Sequence, residues 1–422
     1  MKQFLRQLAY VMICASTAMP TFAATFTSNG IAYSTTGEST CEVARQNPDG
    51  VSGKVTLPST VTDENGNSYT LTSISNFAFV TCSLMTEVTI PASVTSVGMS
   101  SFSKCKALET VRFEGAPATV GANCFSESYG ITSVYTHDLE SWISTDFKDS
   151  NASPLCSGAT LYDGKGQAIT ITAIPEGTKR IGAHSLSNIK SLESIILPAG
   201  LLEIGSGAFQ SCPIKTVEIP SLSDWLQISF CNYTANPLYG GKASLVAGGV
   251  AITDIEIPSD ITSIKIYAFM NYLNATSITI AGNVKEIGTQ AFSGCKNARK
   301  LLIGENVETI GMNAFMYIDF TEITSLAVTA PSLSGNVFSN ATFNDASLQV
   351  PNGSLDSYRK ARVWNKFKNI SESSLSGIES IITDSDSETR YFDLNGTEVV
   401  GKPSNGIFIR LQNGKAEKVA IR

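Results

Sequence analysis

Phenylalanine returns at one fixed interval along much of this chain: Phe79, Phe102 and Phe125 form one run, and Phe269, Phe292, Phe315 and Phe338 another. Between the runs, Leu186 and Phe209 keep the same interval. A period this short leaves each unit unable to enclose its own apolar side, so the side must be buried against the next unit. The chain is expected to stack into a solenoid.

Aligned on that residue, the unit reads close to I-P-x-x-V-x-x-I-G-x-x-A-F-x-x-C-x-x-L-x-x-V-x-I, with clear copies from Ile90, Leu197 and Ile257 and two more from Ile280 and Ile303. A period in the twenties with fixed apolar places marks a leucine-rich type of repeat. Segments such as Val111-Arg112-Phe113 and Val217-Glu218-Ile219 alternate as short strands with the middle residue outward, and should line up as one parallel sheet. The following proline has no N–H for the ladder and ends the strand. Gly98, Gly205, Gly288 and Gly311 mark a second tight bend, and the A-F pair opens a helical or 3₁₀ turn that drives its ring inward. Each buried ring contributes roughly 2 to 3 kcal/mol.

A larger repetition overlies the first. Trp142 to Cys212 aligns without a gap on Trp225 to Cys295 at a constant offset, matching Trp142 to Trp225, Phe147 to Phe230 and Pro154-Leu155 to Pro237-Leu238. This reads as a duplicated block of two repeats, each copy carrying an insert, at 137–173 and 221–256. Each insert opens on an amphipathic turn of helix and continues into a glycine-containing, hairpin-like stretch.

Composition agrees with an elongated core: 42% of the 422 residues are apolar, 16% are charged, and 33 are glycine. The net charge is −7, or about −9 once Lys2 and Arg6 leave with the leader, and no basic cluster exists. Nucleic acid is excluded as a partner on that ground. Residues 1–23 read as a signal peptide, with an apolar middle and Thr21 and Ala23 before the cut, so export is expected. Cys14 lacks the small residue before it that a lipid anchor needs, and no later segment is long and apolar enough to span a membrane.

Cys82, Cys105, Cys212 and Cys295 each sit at the third place after the repeat phenylalanine or its equivalent, and Cys124 stands where the unit has alanine. These are inward places for a small apolar side chain. Cys41, Cys156 and Cys231 fall outside the register and lack metal-site spacing; a bridge among these three is the alternative to free thiols.

These repeats, the opening segment from Gly30 and the closing SLQVPNGSLDSYRKARVWNKFKNI resemble the BspA-like leucine-rich repeat proteins of Gram-negative anaerobes over about residues 26–371. The resemblance implies a curved, mostly β solenoid shown outside the cell, in a family associated with adhesion to host proteins or other microbes. Two units depart from the pattern, VGANCFSESYG and IGAHSLSNIK, the latter with Leu186 in place of the ring. The expected fold class is thus a β-rich α/β leucine-rich repeat solenoid of about 23-residue units, with the parallel sheet on one face and a small C-terminal β-module. Residues 24–371 would form the solenoid, with an N-terminal β cap and a C-terminal cap at 347–371, where an amphipathic helix and Trp364 cover the open end. A polar linker, 372–388, precedes a tail at 389–422 that is punctuated by Asn395-Gly396, Ser404-Asn405-Gly406 and Asn413-Gly414. That tail resembles type IX secretion sorting modules through its YFDLNG, GIFI and NGK pieces; an ordinary β-module is the alternative.

Catalytic groupings are scarce. His137 and His184 are the two histidines, and both read as exposed polar residues, so nucleophilic triads have no clear base. No cofactor or metal site is expected. The outward strand residues, among them Glu87, Thr89, Thr110, Arg112, Thr216, Glu218, Ser277, Thr279 and Lys300, make a mixed polar face without an aromatic or arginine cluster of the hot-spot type. Candidate partner-binding residues are Trp142, Phe147, Trp225, Phe230, Arg112, Glu218 and Lys300, with edge packing as the competing role for the four rings. The expectation is a secreted or cell-surface protein that binds a host extracellular-matrix protein, a glycan or a microbial surface component without catalysis. An extracellular glycan-acting enzyme or accessory domain and a passive structural surface protein are the alternatives.

Overall fold

The computed structural model describes residues 23–280, 283–373, 390–393, 397–399, 403, 406–412 and 415–421. The leader with Cys14, nearly all of the linker, and the Asn395-Gly396, Ser404-Asn405 and Asn413-Gly414 turns lie outside the described residues. The chain divides into two compact units, one of Met1–Ile169 with Gly182–Ile189 and one of Thr170–Ile181 with Lys190–Arg422.

In the first unit a parallel sheet runs through Ser52–Thr56, Leu84–Ile90, Thr110–Phe113, Ser133–Thr136 and Thr160–Tyr162. Val55, Val88, Val111, Val134 and Leu161 are in register and buried, which is the inward half of the alternation. A second ladder joins Ser68–Ile74, Ser96–Val97, Thr119–Val120 and Asp146–Phe147 in parallel, so each coil has two strands where the sequence pattern suggested one. At the N-terminal side this ladder is extended by Thr40–Val43 in parallel and then by Ile31–Thr35 and Thr25–Ser28 in antiparallel.

Where glycine follows a short strand, at Gly98 and Gly311 for example, it is required by its neighbour, not by its own conformation. A Cβ on Gly98 would stand 2.5 Å from the Asn76 amide nitrogen, and one on Gly311 2.5 Å from that of Thr289. Neither glycine has the left-handed φ that would by itself select the residue. The backbone of the preceding coil occupies the space.

The segment around every repeat phenylalanine except Phe338, which the short helix Asn340–Asp345 follows, differs from the expected helical turn. The second positions before and after the ring are left-handed: Ser100 (φ 54°) and Lys104 (φ 63°) flank Phe102, and Tyr267 (φ 65°) and Asn271 (φ 59°) flank Phe269. A helix needs consecutive right-handed residues and cannot accommodate this. Alternate amides instead divide their work. Those of Ala78, Val80 and Cys82 close turns onto Ser75, Phe77 and Phe79, while those of Phe77, Phe79 and Thr81 donate to the Met99, Ser101 and Ser103 carbonyls of the next coil. The rings then stack: Phe79 on Phe102 at 5.2 Å and Phe102 on Phe125 at 5.3 Å between centroids, in planes within 10° of parallel.

In the second unit the longest ladder is parallel throughout: Asp254–Glu256, Ser277–Ile280, Lys300–Ile303, Glu322–Ser325, Ser347–Val350 and Asn369–Glu372. Phe269, Phe292, Phe315 and Phe338 stack along it with centroids 5.2, 5.3 and 5.5 Å apart. Trp364 is fully buried near its last ring, 5.6 Å from Phe338, and its Nε1 donates to the Pro331 carbonyl at 2.7 Å. The described tail residues pair as an antiparallel sheet of Glu398–Val399, Arg390–Phe392, Gly406–Gln412 and Lys415–Ile421.

Cys41, Cys82, Cys105, Cys124 and Cys295 are buried free thiols and Cys156 is a half-buried one. Cys212 is half-buried, unlike its repeat equivalents, and stands one residue nearer its inward valine, Val217, than Cys105 does to Val111. His184 is a correction to the sequence reading: it is 8% exposed, and its Nδ1 has no hydrogen-bond partner. It occupies the left-handed place ahead of Leu186. Burial pulls its pKa down, with the Asp149 carboxylate opposing.

Candidate binding face

Five neighbouring strands of the first unit each contribute one outward side chain to a single row: Lys54, Glu87, Arg112, Tyr135 and Tyr162. Register places Lys54 beside Glu87, Thr89 beside Arg112, Arg112 beside Tyr135, and Tyr135 beside Tyr162. Glu87 precedes Thr89 on the same face of its strand, within diagonal reach of Arg112.

Contacts join the row from end to end. Lys54 Nζ lies 3.0 Å from Glu87 Oε2, and Arg112 Nε donates to Glu87 Oε1 at 2.6 Å. The Arg112 guanidinium carbon sits 3.7 Å from the centroid of the Tyr135 ring, and Tyr135 stacks on Tyr162 at 5.0 Å with 20° between planes. Burial works to raise the Glu87 carboxyl, but hydrogen bonds from Arg112 and Lys54 outweigh it and hold the group below the usual carboxylate range. Glu87 is thereby a fixed anion that aims the arginine. The Arg112 side chain remains 37% exposed against 15% for Glu87. A guanidinium over a ring is worth about 0.5 to 1 kcal/mol at an exposed site, and it adds to the Glu87 bond in holding Arg112 in place. Thr110 and Ser133 on this face are small and polar.

The row is a correction: the sheet face carries an arginine and aromatic cluster where the sequence pattern suggests a mixed polar face without one. A signal existed: Tyr135 follows Arg112 by one full repeat, at the same outward place of the unit. It was obscured because the first insert begins just beyond it and shifts Tyr162 out of the period.

The other candidates are distributed differently. Trp142, Phe147 and Trp225 are fully buried and Phe230 is 7% exposed, so none of these rings can meet a partner. They are packing residues: Trp142 lies 5.2 Å from Phe147 and Trp225 5.3 Å from Phe230, with interplanar angles of 53° and 54°. Each indole Nε1 satisfies itself on a carbonyl, Trp142 on Ser185 at 2.9 Å and Trp225 on Ala268 at 3.0 Å. Capping residues start the short helices that deliver them, Asp138 accepting from the Ser141 amide and Ser221 from the Asp224 amide.

Lys300 lies on the six-stranded ladder of the second unit and is paired with Glu322 at 3.1 Å. Glu218 is half-buried on Thr216–Ile219. Elsewhere on the six-stranded face Asp254 accepts from Thr276 Oγ1 at 2.8 Å and Ser277 Oγ at 2.5 Å, which lowers its pKa. Neither Glu218 nor Lys300 is brought to Arg112's row, whose members all belong to the first unit. Among the described residues no group of three or more His, Cys, Asp or Glu is placed to hold a metal ion. The row offers a planar cation, a fixed anion and two ring faces; it holds no nucleophile paired with a base.

Residues 65–153, 162–236 and 247–359 match a family model described as BspA type leucine rich repeat region, in six copies. Among solved structures, the chain is similar to a leucine rich cell surface protein from Faecalibacterium prausnitzii A2-165, with 15% identity over 84% of this chain and 96% of that one and a TM-score of 0.43. A leucine-rich repeat protein from Bacteroides ovatus ATCC 8483 is 20% identical over 82% and 99%, with a TM-score of 0.38. The pneumococcal vaccine antigen PcpA is 14% identical over 83% and 97%, with a TM-score of 0.36. No curated protein matches the chain.

Proposed function

The chain belongs to the BspA-type leucine-rich repeat family, and from that premise we propose that it is an exported surface protein that binds another protein through the Lys54–Tyr162 row of its first unit. The observation that carries this reading is the Arg112 guanidinium held 3.7 Å above Tyr135 by its bond to Glu87. Arginine and tyrosine are the side chains that dominate protein interfaces, because each covers a large area and loses little conformational freedom when already held in place. Small polar neighbours let a partner's backbone approach. Among the described residues no helix is long and apolar enough to cross a membrane. In this reading the tail at 389–422 serves delivery to the surface by acting as a sorting module.

The test is an array of extracellular-matrix and microbial surface proteins probed with the purified chain, followed by affinity measurements on the best partner. Arg112→Ala and Tyr135→Ala should each weaken binding by at least about tenfold, while Lys300→Ala should leave it unchanged. Unaltered affinity in both row variants would remove the face from consideration.

A further inference from the structure

We propose that the second unit carries a separate site, a groove beside its insert that binds an acidic sugar. The groove has a volume of about 560 Å³ and lies between the turn Phe209–Lys215 and the insert segment from Thr234 to Ala243. That volume falls in the range of small-ligand clefts, roughly 300 to 1,000 Å³. Tyr239 lines it and is 38% exposed; the Tyr233 ring lies 4.9 Å away at 49°, and Tyr233 in turn meets Tyr267 edge-on at 6.4 Å.

The duplicated block supplies an internal control. At the offset that carries Trp142 onto Trp225, Tyr233, Tyr239 and Tyr267 correspond to Ser150, Cys156 and His184. The buried places are the same in both copies: Trp142 and Trp225, Ala152 and Ala235, Leu155 and Leu238. Packing of the block therefore does not call for tyrosine at these three positions. In the second copy alone, three residues separated in sequence have become tyrosines that touch one another at the surface, and Lys242 stands where the first copy has Ala159.

Charge selects the ligand class. The groove lining includes Lys215 and Lys242 and no carboxylate, in a chain of net charge −7. Lys215 is shared with Glu193 at 2.8 Å, which leaves Lys242 as the principal cation facing an incoming anion. A pyranose ring has an apolar C–H face that suits a tyrosine ring and a rim of hydroxyls for polar groups, and a uronate carboxylate supplies the negative charge that an ammonium ion recognises. The ligand expected is a saccharide containing a uronic acid.

The experiment is titration calorimetry of the full chain with a glucuronate-containing disaccharide and with the same disaccharide after reduction of its carboxyl group. Binding of the acid, about tenfold weaker binding of the reduced sugar, and about tenfold losses in Tyr239→Ala and Lys242→Ala are expected. Tyr239→Phe keeps the ring and should retain binding, and Arg112→Ala on the other unit should be without effect, so this site and the protein-binding row fail independently. Equal affinity for the reduced sugar, no binding of the acid, wild-type affinity in both groove variants, or capture of a proline-rich peptide in place of the disaccharide would overturn the assignment.

Discussion

Phe292 lies face to face with Phe315, with ring centroids 5.3 Å apart and planes within 10° of parallel. Both rings are fully buried, and Phe292 makes the same contact with Phe269 on its other side. Phe292→Ala therefore opens a cavity inside a continuous stack and should cost about 3 to 5 kcal/mol. Lys300→Ala removes only an exposed ion pair with Glu322, worth about 0 to 1 kcal/mol. Thermal denaturation of the two variants checks the register: melting temperatures that fall equally would contradict it.

The indole bonds of the inserts give a second expectation. Trp225→Phe keeps a large ring but leaves the buried Ala268 carbonyl without the Nε1 donor it accepts from at 3.0 Å. Asn236 Nδ2 also reaches that carbonyl, at 3.2 Å, so the loss should be at the lower end of the roughly 1 to 3 kcal/mol for an unmet buried group. Trp142→Phe, whose partner is the Ser185 carbonyl, should cost more in chemical denaturation. The reverse order would show that Asn236 does not share the load.

His184 makes stability depend on pH. Burial lowers its folded-state pKa below the unfolded value of about 6.5, so the unfolded chain takes up the proton first as pH falls. The contribution is complete above that value and is lost as pH drops from there through the folded pKa. The melting temperature should fall between pH 7 and pH 5, and His184→Asn, which tolerates the left-handed backbone, should reduce the fall. An identical fall in the variant would assign it to other groups.

The buried thiols should be silent in the native protein. Burial pushes Cys82 up to about 11 and Cys105 up to about 12, so neither supplies thiolate near neutral pH. Iodoacetamide should leave Cys82, Cys105, Cys124 and Cys295 unmodified in the folded state and alkylate all four once the chain is unfolded without reductant. Peptide mass mapping that finds two of them bridged would mean that their inward placement is wrong.

Deleting everything after Ser376 should leave the repeats folded, because Trp364 and Asn369–Glu372 already complete the last coil. Delivery is what should change, with the shortened chain retained inside the native host's envelope. Fractionation that finds it on the surface as before would reduce the tail to an ordinary β-module.

The regular recurrence of phenylalanine was enough to determine stacking, because an inward ring at a fixed interval has no other way to leave water. It also determined which residues face inward: Val88, Val111 and Val134 alternate with polar neighbours, and alternation is a local property of a strand. The equal offset of Trp142 and Trp225 likewise pointed to a duplicated packing element. What lies between coils was decided only by the tertiary structure. Gly98 is held to glycine by the backbone at Asn76 in the coil before it, and His184 is buried where the equivalent Asn123 is exposed, so neither constraint is written in adjacent residues. The Arg112–Tyr135–Tyr162 row arises because strand pairing cancels the longer gap that the insert opens between the two tyrosines. Hydrogen-bonded register brings together side chains that sequence spacing sets at unequal intervals, and a surface for binding exists only after that register has formed.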